Sequence, residues 1–374
     1  MKKNFQKTAM LIAPFIVFAL GCNFIPQVND FFIQAQIMSV SLNMPLEKLN
    51  ENIASNTEEK TTNDTKAASK DDEAKETSNR VEYDITKTPD DILKLKAKAE
   101  KEIEKQEKKG NISEQPYVGG GKIVEKNNIK IQTKIPEDFY RLNIENLLSQ
   151  KADLSIADKN KPAVLIYHSH TTEAYQSLDV GYYTTSFMQR RDDTAQNMVR
   201  VGDEITEVLR KNGFNVIHDA EIYDKDYNAA YGLSDKSVKK YLEKYPSIDV
   251  TIDVHRDCIE FNDGTKIKTV HEVQGKKAAK MMIISGCQYG QINNFPDWEY
   301  NLRFALALQQ KAEEMYPELM RPILFSARRY NMFETHNSIL LEVGTDGNTL
   351  EEACYSGRLI GEVLSEFLNS YVKK

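Results

Sequence analysis

Residues 163–173 read AVLIYHSHTTE, an apolar run that stops at two histidines and, three residues past the second, a glutamate. Short apolar runs of this kind suit strands buried on both faces, and open parallel α/β sheets hold ligands just beyond the carboxyl ends of their strands. His170 and Glu173, in His-x-x-Glu spacing, are therefore candidate metal ligands. A second run, residues 249–255 (DVTIDVH), also ends in a histidine, His255. A third, residues 339–344 (ILLEVG), carries Glu342 inside an otherwise apolar strand. Two imidazoles and one carboxylate hold zinc while leaving a position open for water, which is the pattern of catalytic rather than structural sites. Zinc lowers the pKa of that water and polarises a carbonyl, and a carboxylate that is not a ligand must then move the proton. Glu342 is the candidate for that task, and the set reads as the parts of a zinc hydrolase.

These residues need a scaffold, and the chain supplies it unevenly. The 374 residues would allow two or three domains by length alone. Lys2, Lys3 and Lys7 precede an uncharged run at residues 8–26, close to the roughly 20 residues that cross a bilayer as a helix. A retained single-pass anchor is the preferred reading over a cleaved signal peptide or a lipoprotein signal with Cys22 as the modified residue, and all three place the rest of the chain outside the cytoplasm. Residues 1–30 are thus expected to form a cytoplasmic stub and anchor. Residues 31–128 are expected to form a juxtamembrane segment and a polar, disordered tether, because residues 47–121 are mostly Lys, Glu, Asp, Asn, Thr and Ser. Within it, residues 90–109 have the composition of a solvated helix without a specific partner. The net charge of −7 leaves no basic footprint for nucleic acid. Four cysteines are too few for a disulfide framework, and a Cys258–Cys287 bridge is the one candidate pairing.

Residues 129–374 are expected to form one α/β domain with a mostly parallel sheet flanked by helices. Strands are expected at residues 163–167, 214–217, 250–254, 281–285 and 339–343. Helices are expected from about Asp193 to the Asn212-Gly213 stop, from Trp298 to the Tyr316-Pro317 stop, and from about Leu350 onward.

The segments YHSHTTEAY, DVHRD, WEYNLRFALALQQKAEEMYPELMRPI and LLEVGTDGNTLEEA resemble those of the stage II sporulation protein P family. The resemblance runs from about Pro162 to the C-terminus, and the anchor and tether fit that family's layout. It implies a fold like that of zinc-dependent muramoyl amidases and zinc carboxypeptidases. It also implies hydrolysis of peptidoglycan during engulfment of the forespore, as an N-acetylmuramoyl-L-alanine amidase and as an endopeptidase on stem cross-links. The implied location is the cell membrane, with the catalytic domain between mother cell and forespore, and the implied partners are stage II sporulation proteins D and M. Position by position, it places His170 and His255 on zinc and makes Glu342 catalytic. Glu173 is the preferred second ligand. Asp192 and Asp193 are held in reserve, because the helix start that carries a glutamate in muramoyl amidases has none here.

Other residues carry weaker expectations. His168, one strand step from His170, is assigned to substrate or to support of the ligands. Arg256, beside His255, is assigned to the rim, where it would meet stem-peptide carboxylates. Asn301 and Arg303 are placed at the cleft by the resemblance alone, and Trp298 is either a core anchor or a glycan platform. His218, His271 and His336 are expected to be loop, surface or structural residues. Two other functions compete with this one, a non-catalytic wall-binding or assembly module with a structural metal, and a metal-dependent deacetylase.

Overall fold

The five apolar runs expected as strands all join one sheet. The computed structural model describes residues 84–116 and 119–373, so the expected anchor and most of the tether lie outside the described residues. Strands β1 (Lys108–Glu114), β2 (Lys122–Lys126), β3 (Ile129–Thr133), β4 (Pro162–Tyr167), β5 (Tyr182–Thr184), β6 (Asn215–His218) and β7 (Val250–Asp257) come first. After them come β8 (Lys266–Lys268), β9 (Val270–Val273), β10 (Lys276–Ala279), β11 (Met281–Gly286), β12 (Ile323–Ser326) and β13 (Asn337–Thr345). The main sheet has eight strands in the order β2-β3-β12-β11-β13-β7-β4-β6. Five of its seven pairings are parallel, and β2–β3 and β11–β13 are antiparallel. The sheet is therefore mixed, with parallel pairing predominant.

Among the described residues six α-helices accompany it: α1 (Asp90–Ile103), α2 (Ile144–Ser149), α3 (Met198–Lys211), α4 (Ala230–Lys244), α5 (Trp298–Met315) and α6 (Leu350–Asn369). Side chains alternate across a strand, which sorts the two faces. Ile252, Val254, Ile339, Leu341 and Val343 point into the large core with residues of α3, α5 and α6. Leu165 and Tyr167 point the other way, against Val238 of α4. On that second face Met282, Ile284 and Leu340 form a separate small cluster with Leu324 and Tyr330. Among the described residues no helix is long and apolar enough to cross a membrane.

Three sequence expectations change. First, the folded unit begins at Asp84 rather than at residue 129. Second, α1 is no partnerless helix: Ile92 is 3% exposed in the core, and Asp91 accepts from Arg200 at 2.8 Å. Lys96 meets Glu351 at 3.0 Å, and the Ile85 carbonyl accepts from Arg358 Nε at 2.7 Å. Its few apolar contacts and several ion pairs hide it from a periodicity search. Third, Cys258 and Cys287 are free thiols, so the bridge is absent. The start of α3 also moves, because the Asn197 side chain accepts from the Val199 amide and caps the helix there, later than Asp193.

Candidate metal centre

Two strand ends and one neighbouring strand build the site. Past the end of β4 the chain turns through Ser169 to Glu173, and the carboxyl half of β7 supplies Asp253 and His255 on one face. Glu342 of β13 sits directly opposite His255 in the parallel ladder. One ligand atom from each of His170, Glu173 and His255 lies within 4.8 Å of the other two. The Glu173 carboxylate divides itself between them, with Oε1 3.7 Å from His170 Nδ1 and Oε2 3.5 Å from His255 Nδ1.

The supporting contacts fix these groups. Asp253 accepts from the Ser169 amide at 2.8 Å and the Ser169 hydroxyl at 2.7 Å, and its Oδ1 lies 2.8 Å from His255 Nε2. The far nitrogen of the His255 ring is thereby tied to a carboxylate, the usual way a ligating imidazole is oriented. The His170 ring stacks on Tyr227 at 4.4 Å and meets Tyr231 edge-on at 5.1 Å. Its Nε2 is buried without a hydrogen-bond partner among the described residues. The other ring nitrogen, Nδ1, is the one that faces Glu173, and two imidazoles grouped with one carboxylate are a donor set that fits zinc.

Burial and charge set the protonation states of the chain alone. Burial would lower the His255 pKa, but Asp253, with help from Glu173, holds it well above the ordinary value. Burial lowers that of His170 to about 4, with Glu173 opposing. Burial works against the charged form of Glu173, yet His255, Arg256 and His170 keep its carboxyl well below the usual range. Glu342 goes the other way. Burial first, then the charges of Asp257 and Glu173, push its carboxyl up to about 8 against the pull of His255. Its Oε2 has no hydrogen-bond partner among the described residues.

The residues assigned to substrate fall elsewhere. His168 is buried, with Nδ1 2.9 Å from the Val254 carbonyl and Nε2 2.9 Å from His218 Nε2. Burial and His218 lower its pKa to about 3. It is a packing residue against α3, where a Cβ on Gly202 would come within 2.5 Å of His218 Nε2 and 2.6 Å of His168 Nε2. Arg256 is not at a rim, because its guanidinium is buried and donates to the carbonyls of Ala174 (2.6 Å), Gln189 (2.7 Å) and Asp257 (3.3 Å). Asn301 is buried and donates to the carbonyls of Met332, Thr335 and Ser338. Arg303 reaches Gln150 at 2.9 Å and lies over Tyr300. Both sit on α5, which packs on the sheet face opposite Glu342, so that helix does not border the site. Trp298 packs with Tyr140 and Phe325 as a core anchor. Asp193 caps the Ala195 amide, and neither it nor Asp192 belongs to the ligand group. His218 pairs with Asp203 and His336 with Asp153, while His271 lies in the β9–β10 hairpin.

Sequence reasoning missed Asp253, Ser169, Tyr227, Tyr231 and Arg190. Asp253 was findable, since it stands two residues before His255 and so shares its face. Arg190, whose side chain is 39% exposed, pairs with Asp224, lies 3.8 Å from Glu173 Oε1 and covers the Tyr227 ring at 4.7 Å. No sequence pattern announces it.

The family model described as Stage II sporulation protein P matches residues 30–365. The chain belongs to that family. A curated relative, stage II sporulation protein P of Bacillus subtilis (strain 168), is 26% identical over 254 residues, which span 63% of this chain and 60% of that protein. Among solved structures, N-acetylmuramoyl-L-alanine amidase AmiC2 of Nostoc punctiforme is 9% identical, with a TM-score of 0.32, over 57% of this chain and 98% of that one. The N-acetylmuramoyl-L-alanine amidase from Clostridium difficile 630 is 15% identical, with a TM-score of 0.32, over 57% and 97%.

Proposed function

We propose that this chain is a zinc-dependent peptidoglycan hydrolase that cleaves the N-acetylmuramoyl-L-alanine amide, stem-peptide cross-links, or both, during spore engulfment. The observation that carries the reading is the grouping of His170, Glu173 and His255 with Glu342 one strand away, whose Oε2 has no hydrogen-bond partner among the described residues. A structural zinc site is closed by four protein ligands and has no use for such a carboxyl, which argues against a non-catalytic module. Family membership supports the choice of peptidoglycan. The extracytoplasmic anchoring and the partnership with stage II sporulation proteins D and M belong to the same proposal.

Zinc held by the three residues would supply a Lewis acid for the scissile carbonyl and acidify a water. Glu342 takes the proton of the attacking water and returns it to the leaving nitrogen, the task of a carboxylate that stands beside the ligands without being one of them. Asp253 keeps the His255 ring from turning, and Tyr227 and Tyr231 wall off His170 from solvent. His170→Ala and His255→Ala should each lower zinc content and abolish hydrolysis. Full zinc occupancy with full activity in either variant would remove the site from the reaction.

A further inference from the structure

The role expected of Arg256 is left open by its burial, and the remaining arginines near the site narrow the choice. Arg190 is neutralised by Asp224 and Glu173, and Arg321 by Asp257 at 2.9 Å. Arg191 also lacks a carboxylate partner among the described residues, but its guanidinium is turned to Gln196 at 3.5 Å; Arg328 faces the aromatic residues that lead to the site. It is partly exposed, and no carboxylate lies within 4.0 Å of it among the described residues. Its guanidinium donates to the Tyr330 hydroxyl at 2.6 Å and lies 5.6 Å from that ring.

The backbone holds it there. A Cβ on Gly286 would collide with the Arg328 carbonyl oxygen, so only glycine lets this loop cross the end of β11. The Arg328 amide also donates to the Ser326 carbonyl at 2.8 Å. Tyr330 then takes a positive φ of 42° and turns its ring onto Met282, Ile284 and Leu340. Leu340 shares a face with Glu342, and Met282 is the ladder partner of Glu342. Tyr330 stacks on Tyr231 at 4.9 Å, and Tyr231 lies parallel to His255 at 6.4 Å. Burial raises the phenol pKa of Tyr330, with Arg328 opposing and Glu342 adding, so both charges act on the same ring. A guanidinium with open donors thus stands at the end of an aromatic wall that leads to the metal centre.

We propose that Arg328 binds a free carboxylate of the substrate's stem peptide and sets a preference for acidic over amidated stems. This rests on the reading of the site as a peptidoglycan amide hydrolase. A guanidinium presents a planar fork matched to a carboxylate, and a partly exposed arginine with no carboxylate beside it among the described residues keeps the donors not spent on the Tyr330 hydroxyl for a ligand.

The test compares two soluble muramoyl peptides that differ only in whether the stem carboxylates are free or carboxamides, using the zinc-loaded full chain and Arg328→Gln. The wild-type chain should favour the free carboxylates by roughly tenfold or more in kcat/KM, the scale of one charge-assisted hydrogen bond. Arg328→Gln should lose that preference through KM with kcat retained, and Arg328→Lys should recover part of it. Undiminished cleavage of the carboxamide substrate is the internal check on folding. An unchanged preference in Arg328→Gln, or an equal loss on both substrates, would overturn the assignment. Cleavage of neither substrate by the zinc-loaded wild type would instead defeat the underlying reading and this inference with it.

Discussion

Replacing Glu342 with glutamine should stabilise the metal-free protein while disabling it. The carboxyl is pushed from 4.5 to about 8 by burial and by the charges of Asp257 and Glu173. Between those values the folded state holds a proton that the unfolded state has released, so stability falls as pH rises through the window. At pH 7.5 the shift is worth at most about 4 kcal/mol at 1.36 kcal/mol per unit, and relaxation toward solvent brings it to about 2 kcal/mol or more. Glutamine keeps the shape and has nothing to ionise. For a folded unit of this size each kcal/mol moves Tm by about 2–4 °C. Glu342→Gln should therefore melt roughly 4 °C or more above wild type at pH 7.5 in chelator, with the gap closing toward pH 4.5. With zinc restored, its turnover should drop by about two or more powers of ten. Differential scanning calorimetry across pH reads the first effect and muropeptide release the second. A variant that melts at or below wild type at pH 7.5 would refute the argument that this buried carboxyl is kept at a cost to stability for the sake of chemistry.

Three further outcomes are expected from the same geometry. His255 holds its proton between Asp253 and Glu173 in the metal-free chain and must lose it to bind zinc, so affinity should weaken from pH 8 to pH 6. Calorimetry in buffers of different ionisation enthalpy should then detect proton release, and its absence would contradict the assignment. A chain starting at Gly121 should unfold at lower urea than one starting at Asp84, by about 3 kcal/mol or more, since it loses the buried Ile85 and Ile92; equal midpoints would return α1 to the tether. Gly202→Ala should cost about 1–3 kcal/mol in thermal melting by driving a methyl into His168 and His218, and an unchanged Tm would show that this contact can relax freely.

Four of the five strands read from the sequence were legible because they are buried on both faces and so appear as largely apolar runs; β6, at the sheet edge, was legible from Phe214, Val216 and Ile217 alone. Edge strand β2, with the exposure of Lys122, Ile123, Glu125 and Lys126, gives no such signal. Helix α4 buries only Ala230, Ser234 and Val238, too few for a visible stripe, yet it brings Tyr231 to the metal centre. The candidate ligands His170 and His255 were legible in a similar way, since each histidine marks where an apolar run ends. Neighbouring residues were not, because adjacency along a strand reverses direction. Arg256 comes directly after His255 and turns into the backbone of residues 174 and 189, whereas Asp253, two residues back, shares the face and holds the ring. The α1 helix was legible from its composition but its docking was not, because that depends on ion pairs with residues more than a hundred positions away, which no local pattern records.

The central claim is amide hydrolysis at this metal centre. Its most direct test is mass spectrometry of the material released from purified sacculi by the protein before chelation, after chelation, and after zinc is restored. The account predicts new free amino termini on stem peptides, lost on chelation and regained with zinc, and absent with Glu342→Gln at full zinc occupancy. Sacculi left uncut by the zinc-loaded wild type, or cut equally well by the Glu342 variant, would contradict it.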